Sequence, residues 1–163
     1  MSTFLATFAY VGRAPFAPGT WGSAVTIPLG YLLHRVFGFP GVALAILIVF
    51  LVGWWATARY TAKAHSHDPS EVVIDEVAGQ LIALAPLSFG LWHAGVDPHV
   101  FPYPGWVGAF LMFRLFDIWK PWPVSWADNM STPLGVMLDD VLAGLYAAIV
   151  VMAAAAIAHG WLM

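Results

Sequence analysis

Residues 113–123 read FRLFDIWKPWP and set Arg114, Asp117 and Lys120 at three-residue spacing among large apolar side chains. Steps of three place all three on one arc of a helix, with Asp117 in the middle. Pro121 stops the helix and pushes Lys120 out of helical geometry, so the charges gather at a helix end. Two acidic pairs, Asp75-Glu76 and Asp139-Asp140, stand where apolar segments begin, and with Asp117 they make five of the nine acidic residues. Carboxylates crowded at a low-dielectric boundary resist joint ionisation unless cations neutralise them. One Arg and one Lys cannot balance five acids, whereas a divalent ion can. Oxygen ligands in a chain without cysteine favour a hard ion such as magnesium, Mg2+.

Each of these signals has a plainer explanation beside it. An acidic pair at a helix start is also what the helix dipole favours. Asp117 escapes that explanation, because a helix C-terminus disfavours an anion. Gly79 and Gly144 follow Asp75 and Asp140 by four residues, so each shares its carboxylate's face and allows a neighbouring helix to approach. Ordinary small-residue packing between membrane helices would account for the glycines equally well. In APGTWGS (17–23), a Pro-Gly turn leads into Thr20 and a helix start. The free N–H groups of such an end and the hydroxyls of Thr20 and Ser23 suit a phosphate, although Thr20 could serve only as an N-cap. His65 and His67 lie in a polar loop and could ligate metal, but His-x-His alone is usually solvated. His34, His93, His99 and His159 receive no role. No serine has a nucleophile-elbow context, so serine hydrolysis has little support.

The elements that must position these groups belong to a membrane. The 163 residues are 61% hydrophobic and 9% charged, far from a soluble domain. The net charge of −3 argues against a broad nucleic-acid footprint. The start of the chain lacks the basic residues of a signal peptide, and residues 1–11 form a short apolar segment at or dipping into the interface. Apolar runs over 21–37, 41–60, 75–96, 105–119 and 139–162 predict about five membrane segments. They are separated by the polar loops 61–74 and 120–138 and by turns at 39–40 and 98–104. Counting crossings brings the segment before the first span and both polar loops to one side. Arg13, Arg59, Lys63, Arg114 and Lys120 lie in or beside those stretches, so that side is cytoplasmic by the positive-inside rule. The nine Trp residues mostly sit near span ends, as interfacial anchors do.

Four motifs together resemble the phosphatidylglycerophosphatase A family of bacterial membrane lipid phosphatases: APGTWGS (17–23), HDPSEVVIDEVAGQ (67–80), FRLFDIWKPWP (113–123) and GVMLDDVLAG (135–144). They stand in the family's order and spacing and cover nearly the whole chain. The resemblance implies magnesium-dependent dephosphorylation of phosphatidylglycerophosphate to phosphatidylglycerol at the cytoplasmic face of the bacterial inner membrane. The expectation is therefore a single all-α domain over 1–163, a polytopic membrane bundle with its site at the cytoplasmic helix ends. Asp75, Glu76, Asp139 and Asp140 are the expected metal ligands, with Asp117 beside them. Lys120 and Arg114 would hold the phosphate, helped by Gly19, Thr20 and Ser23. The nucleophile is either a water or an aspartate, Asp139 or Asp140. A cation or proton transporter built on the same carboxylates is the alternative, and a non-catalytic membrane subunit a third reading. Assembly into a homo-oligomer is compatible with the glycine-bearing helix faces.

Overall fold

A computed structural model describes residues 1–64 and 69–161, and the described residues are helical with no strand. The elements are α1 (Ser2–Ala6), a 3-10 turn (Val11–Arg13), α2 (Pro18–Ala64), α3 (Ile74–His93), α4 (Tyr103–Trp119), α5 (Val124–Asp128) and α6 (Pro133–Trp161). His65 and His67 lie outside the described residues.

The bundle is assembled on α3, whose first eleven residues, Ile74–Leu84, are all buried. α2 flanks it twice. Positions along α2 that lack a Cβ trace the path: Gly22 lies against Val73 and Glu76, Gly30 against Leu81 and Leu84, and Gly38 against Trp92. Gly53 is back beside Ile74 and Met137. The first arm of α2 thus runs parallel to α3 and the second returns antiparallel. The reversal occurs at Gly38, at φ 63° and ψ −161°, a backbone state that only glycine adopts without strain. The turn expected at residues 39–40 is therefore made one residue earlier. Pro40 opens the returning arm, where its missing N–H costs nothing.

Three helices are long and apolar enough to cross a membrane, over Pro18–Lys63, Ile74–His93 and Pro133–Ala158. About five segments were expected. The difference has two causes: the first two spans form one helix broken only at Gly38, and α4 has 17 residues. At 1.5 Å per residue α4 is about 26 Å long, a little short of a ~30 Å hydrocarbon core.

Two local differences bear on the site. α6 begins at Pro133, with the Thr132 hydroxyl accepting the Gly135 N–H at 3.1 Å, so Asp139 and Asp140 fall inside the helix. An N-cap threonine followed by proline at the first helical position sets that start. The dipole explanation for this acidic pair is thereby lost, while it persists for Asp75 and Glu76 in the first turn of α3. The stretch 120–138, expected as a polar loop, also contains α5. At the chain's start, Phe8, Ala9 and Tyr10 form a left-handed turn after α1. That turn brings the Ala6 carbonyl onto the Val73 N–H at 3.0 Å, bracing the approach to α3.

Candidate active site

Four helix ends converge on a cleft of about 290 Å³. The N-terminal residues Ala17–Thr20 of α2, the start of α3, the end of α4 and the second turn of α6 all line it. Its ionic lining consists of Asp75, Glu76, Asp117, Asp139 and Asp140 with Arg114 and Lys120. All five predicted acids and both predicted bases therefore share one cavity.

Within it the acids divide into two groups. Glu76, Asp117 and Asp140 each offer an oxygen, and these atoms lie within 4.8 Å of one another. The Arg114 guanidinium flanks this group, 2.5 Å from Glu76 and 2.9 Å from Asp117 through the same Nη1. The three-residue step from Arg114 to Asp117 thus becomes an ion pair along α4, as its helical spacing requires. Asp139 stands apart: its Oδ2 accepts the Lys120 ammonium at 2.6 Å and its Oδ1 the Asp140 N–H at 3.0 Å. Asp75 lines the cleft and accepts the Glu76 N–H at 2.9 Å.

The Asp140 carboxylate differs from its neighbours. The residue is 4% exposed, yet its side chain accepts no hydrogen bond and makes no ion pair among the described residues. A buried carboxylate without a partner is costly and calls for a cation. Five acids face two basic side chains in the cleft, so the arithmetic of charge points the same way. Three convergent carboxylate oxygens suit a hard divalent ion such as magnesium, whose remaining positions are ordinarily completed by water or phosphate.

The phosphate-side predictions are placed as follows. Gly19 and Thr20 line the cleft in the first turn of α2, where backbone N–H groups lack intrahelical acceptors. Thr20 is not an N-cap, because the helix begins at Pro18 and Ala17 already accepts the Trp21 N–H. A Cβ at Gly19 would overlap the Glu76 carboxylate, so glycine is what lets these two helix ends meet. Ser23 is fully buried and donates its hydroxyl to Glu76 at 2.8 Å. It fixes an acid rather than facing the cleft. Below, Gly79 abuts Phe113 and the Asp140 carbonyl, and a Cβ at Gly144 would strike the Gly79 carbonyl. The two glycines are thus where α3, α4 and α6 close on one another.

One participant escaped the sequence reading. Asp128, at the end of α5, accepts the Lys120 ammonium at 2.7 Å. It lies in a five-residue helix eight positions after Lys120, and neither periodicity nor spacing signals the pairing. Burial works against the charged form of Lys120. The hydrogen bonds and charges of Asp128 and Asp139 outweigh it and hold the ammonium above its ordinary pKa.

The model of the phosphatidylglycerophosphatase A family matches residues 4–155. A phosphatidylglycerophosphatase A of Haemophilus influenzae is 37% identical over 139 residues, covering 84% of this chain and 78% of its own length. Its Escherichia coli K12 namesake is 32% identical over 139 residues, covering 84% and 73%. A Bacteroides thetaiotaomicron protein with a provisional phosphatidylinositol-3-phosphatase name is 34% identical over 151 residues, covering 88% and 86%. No solved structure matches the chain. With four motifs, a continuous family match and these relatives in agreement, the chain belongs to the phosphatidylglycerophosphatase A family and is a phosphoric monoester hydrolase.

Proposed function

We propose that this protein hydrolyses phosphatidylglycerophosphate to phosphatidylglycerol and inorganic phosphate in the bacterial inner membrane, with magnesium as cofactor and the cleft facing the cytoplasm. The observation that carries the reading is the unpartnered, buried Asp140 carboxylate beside Glu76 and Asp117, in a cleft that also presents two basic side chains. Gly38 divides α2 into two crossings, and α4 makes a short one, so we count five membrane segments with α3 and α6. That count puts the four contributing helix ends on one face, and the basic residues beside them favour the cytoplasm. Diacyl tails would then remain in lipid while the terminal phosphate enters at headgroup depth.

Glu76, Asp117 and Asp140 would hold the magnesium, with Asp75 and Asp139 supporting it from the same cleft. When bound, the ion supplies positive charge against the phosphoryl oxygens and acidity for an attacking water. Arg114 keeps Glu76 and Asp117 together and offsets charge that develops on the phosphoryl group. Lys120 lines the same cleft as a second hydrogen-bond donor to the phosphate. The α2 N-terminus adds free N–H groups, and Thr20 a hydroxyl, for the remaining oxygens. Both Asp139 oxygens are engaged, by Lys120 and by the Asp140 N–H, which favours water over Asp139 as nucleophile.

Release of inorganic phosphate from phosphatidylglycerophosphate in detergent micelles tests the reading. We expect release with magnesium, none with chelator, and a rate lowered on the order of a thousandfold in Asp140→Asn. Folded, magnesium-supplied protein that releases no phosphate would turn the reading to cation transport.

A further inference from the structure

Lys120 is held by an arrangement that its own helix does not provide. Its backbone is left-handed, at φ 49° and ψ 56°, and its N–H closes α4 on the Phe116 carbonyl at 2.8 Å. From that fixed point the side chain reaches two acids of different standing. Asp139 lines the cleft beside Asp140, whereas Asp128 does not line it and approaches the ammonium from α5.

The mount of Asp128 is firm. Val124 and Ala127 of α5 are fully buried. The turn before α5 is tied to α6 by the Tyr146 hydroxyl, which donates to the Trp122 carbonyl at 3.0 Å. An ammonium carries three N–H donors. Two are used, by Asp128 at 2.7 Å and Asp139 at 2.6 Å, and Lys120 makes no third hydrogen bond among the described residues. One donor remains for an incoming group. Asp139, unlike Asp128, lines the cleft, where a cation would compete with Lys120 for its carboxylate, whereas Asp128 approaches the ammonium from outside the cleft.

We propose that Asp128 is a positioning residue for phosphate-monoester hydrolysis, keeping the Lys120 ammonium at the cleft with one N–H free for the substrate phosphate. The inference rests on the phosphatase reading above. The plain alternative is a half-exposed surface ion pair, a class of interaction that contributes little.

Two measurements on the full chain in detergent separate these. The first is phosphate release from phosphatidylglycerophosphate by the wild type, Asp128→Asn, Asp128→Glu, Lys120→Met and the Asp128→Asn/Lys120→Met double variant. Asp128→Asn should lower kcat/KM by about tenfold, the scale of one charge-assisted hydrogen bond. Asp128→Glu should recover most of that loss, and Asp128→Asn should have no further effect once Lys120 is Met. The second is acylation of amines, read by mass spectrometry. The chain has two lysines, so Lys63 is an internal reference. Asp128→Asn should speed labelling of Lys120 relative to Lys63 severalfold, because the ammonium is no longer held between two acids. Wild-type turnover with unchanged kcat/KM in Asp128→Asn overturns the positioning role alone. So does a loss that persists undiminished in the Lys120→Met background, or unaltered Lys120 labelling. A folded wild type that releases no phosphate overturns the phosphatase reading and this role together.

Discussion

At the scale of single residues, the cleft is a problem in charge. Glu76 is supported by Ser23 and Arg114, Asp117 by Arg114, and Asp139 by Lys120. Asp140 alone in this group has no such support, which makes it the most informative position to change. Asp140→Asn keeps the shape and removes the charge. Phosphate release should fall on the order of a thousandfold, the upper range for removing one electrostatic contributor, and the variant should need more magnesium for half-maximal rate. An unchanged magnesium requirement would separate Asp140 from the ion. Arg114→Lys tests the opposite sign. Lysine retains the charge on a differently shaped, more strongly hydrated head group in place of the guanidinium whose Nη1 meets both Glu76 and Asp117, so we expect kcat/KM to fall about tenfold. Full activity in Arg114→Lys would mean that charge alone is needed there. At this scale the sequence was largely legible, because acids and bases in so apolar a chain are few. Their pairing was not: nothing in the spacing says that Lys120 chooses Asp139 and Asp128, since that choice depends on how α5 folds back on α6.

At the scale of elements, the site exists because helix ends approach closely, and glycines set the approach. Gly79 and Gly144 face one another across the α3–α6 contact, and a Cβ at Gly79 would also meet the Phe113 ring. Gly79→Ala should cost about 1–3 kcal/mol, as overpacking of a tight core does. It should also depress activity, by moving the Asp140 backbone away from Glu76. Gly90 and Gly108 are the controls, since a Cβ at either meets nothing within 4 Å. Gly90→Ala and Gly108→Ala should be neutral or stabilising by up to about 1 kcal/mol, through helix propensity. Thermal unfolding in detergent reads all three, and equal loss in Gly79→Ala and Gly90→Ala would refute the assignment. The four-residue step from acid to glycine placed Gly79 and Gly144 on the carboxylate faces. It could not tell a close approach from ordinary packing, because that depends on which helix lies opposite.

At the scale of the whole molecule, the arrangement is one-sided. The chain reverses at Gly38, far from the cleft, and the exposed apolar side chains of α2 and α6, such as Leu47, Leu51, Ile149 and Met152, suit contact with lipid. The absence of cysteine makes the orientation simple to measure. In intact cells a membrane-impermeant thiol reagent should label Asp97→Cys, and should label Ser70→Cys only after lysis. The reverse pattern would place the cleft outside the cytoplasm and remove the topological support for the proposed reaction.

Composition and periodicity alone determined that this chain is an all-helical membrane protein whose acids gather at span ends, because hydropathy and local spacing are properties of the chain itself. The four motifs determined the family. Only the tertiary structure decided that Glu76, Asp117 and Asp140 converge while Asp139 turns to Lys120. It also decided that Ser23 supports an acid instead of facing substrate, and that α2 is one interrupted helix. These outcomes depend on distances between segments far apart in sequence. Such distances are set by how helices pack at glycines and by which side chains then fall within reach, and no local pattern carries them.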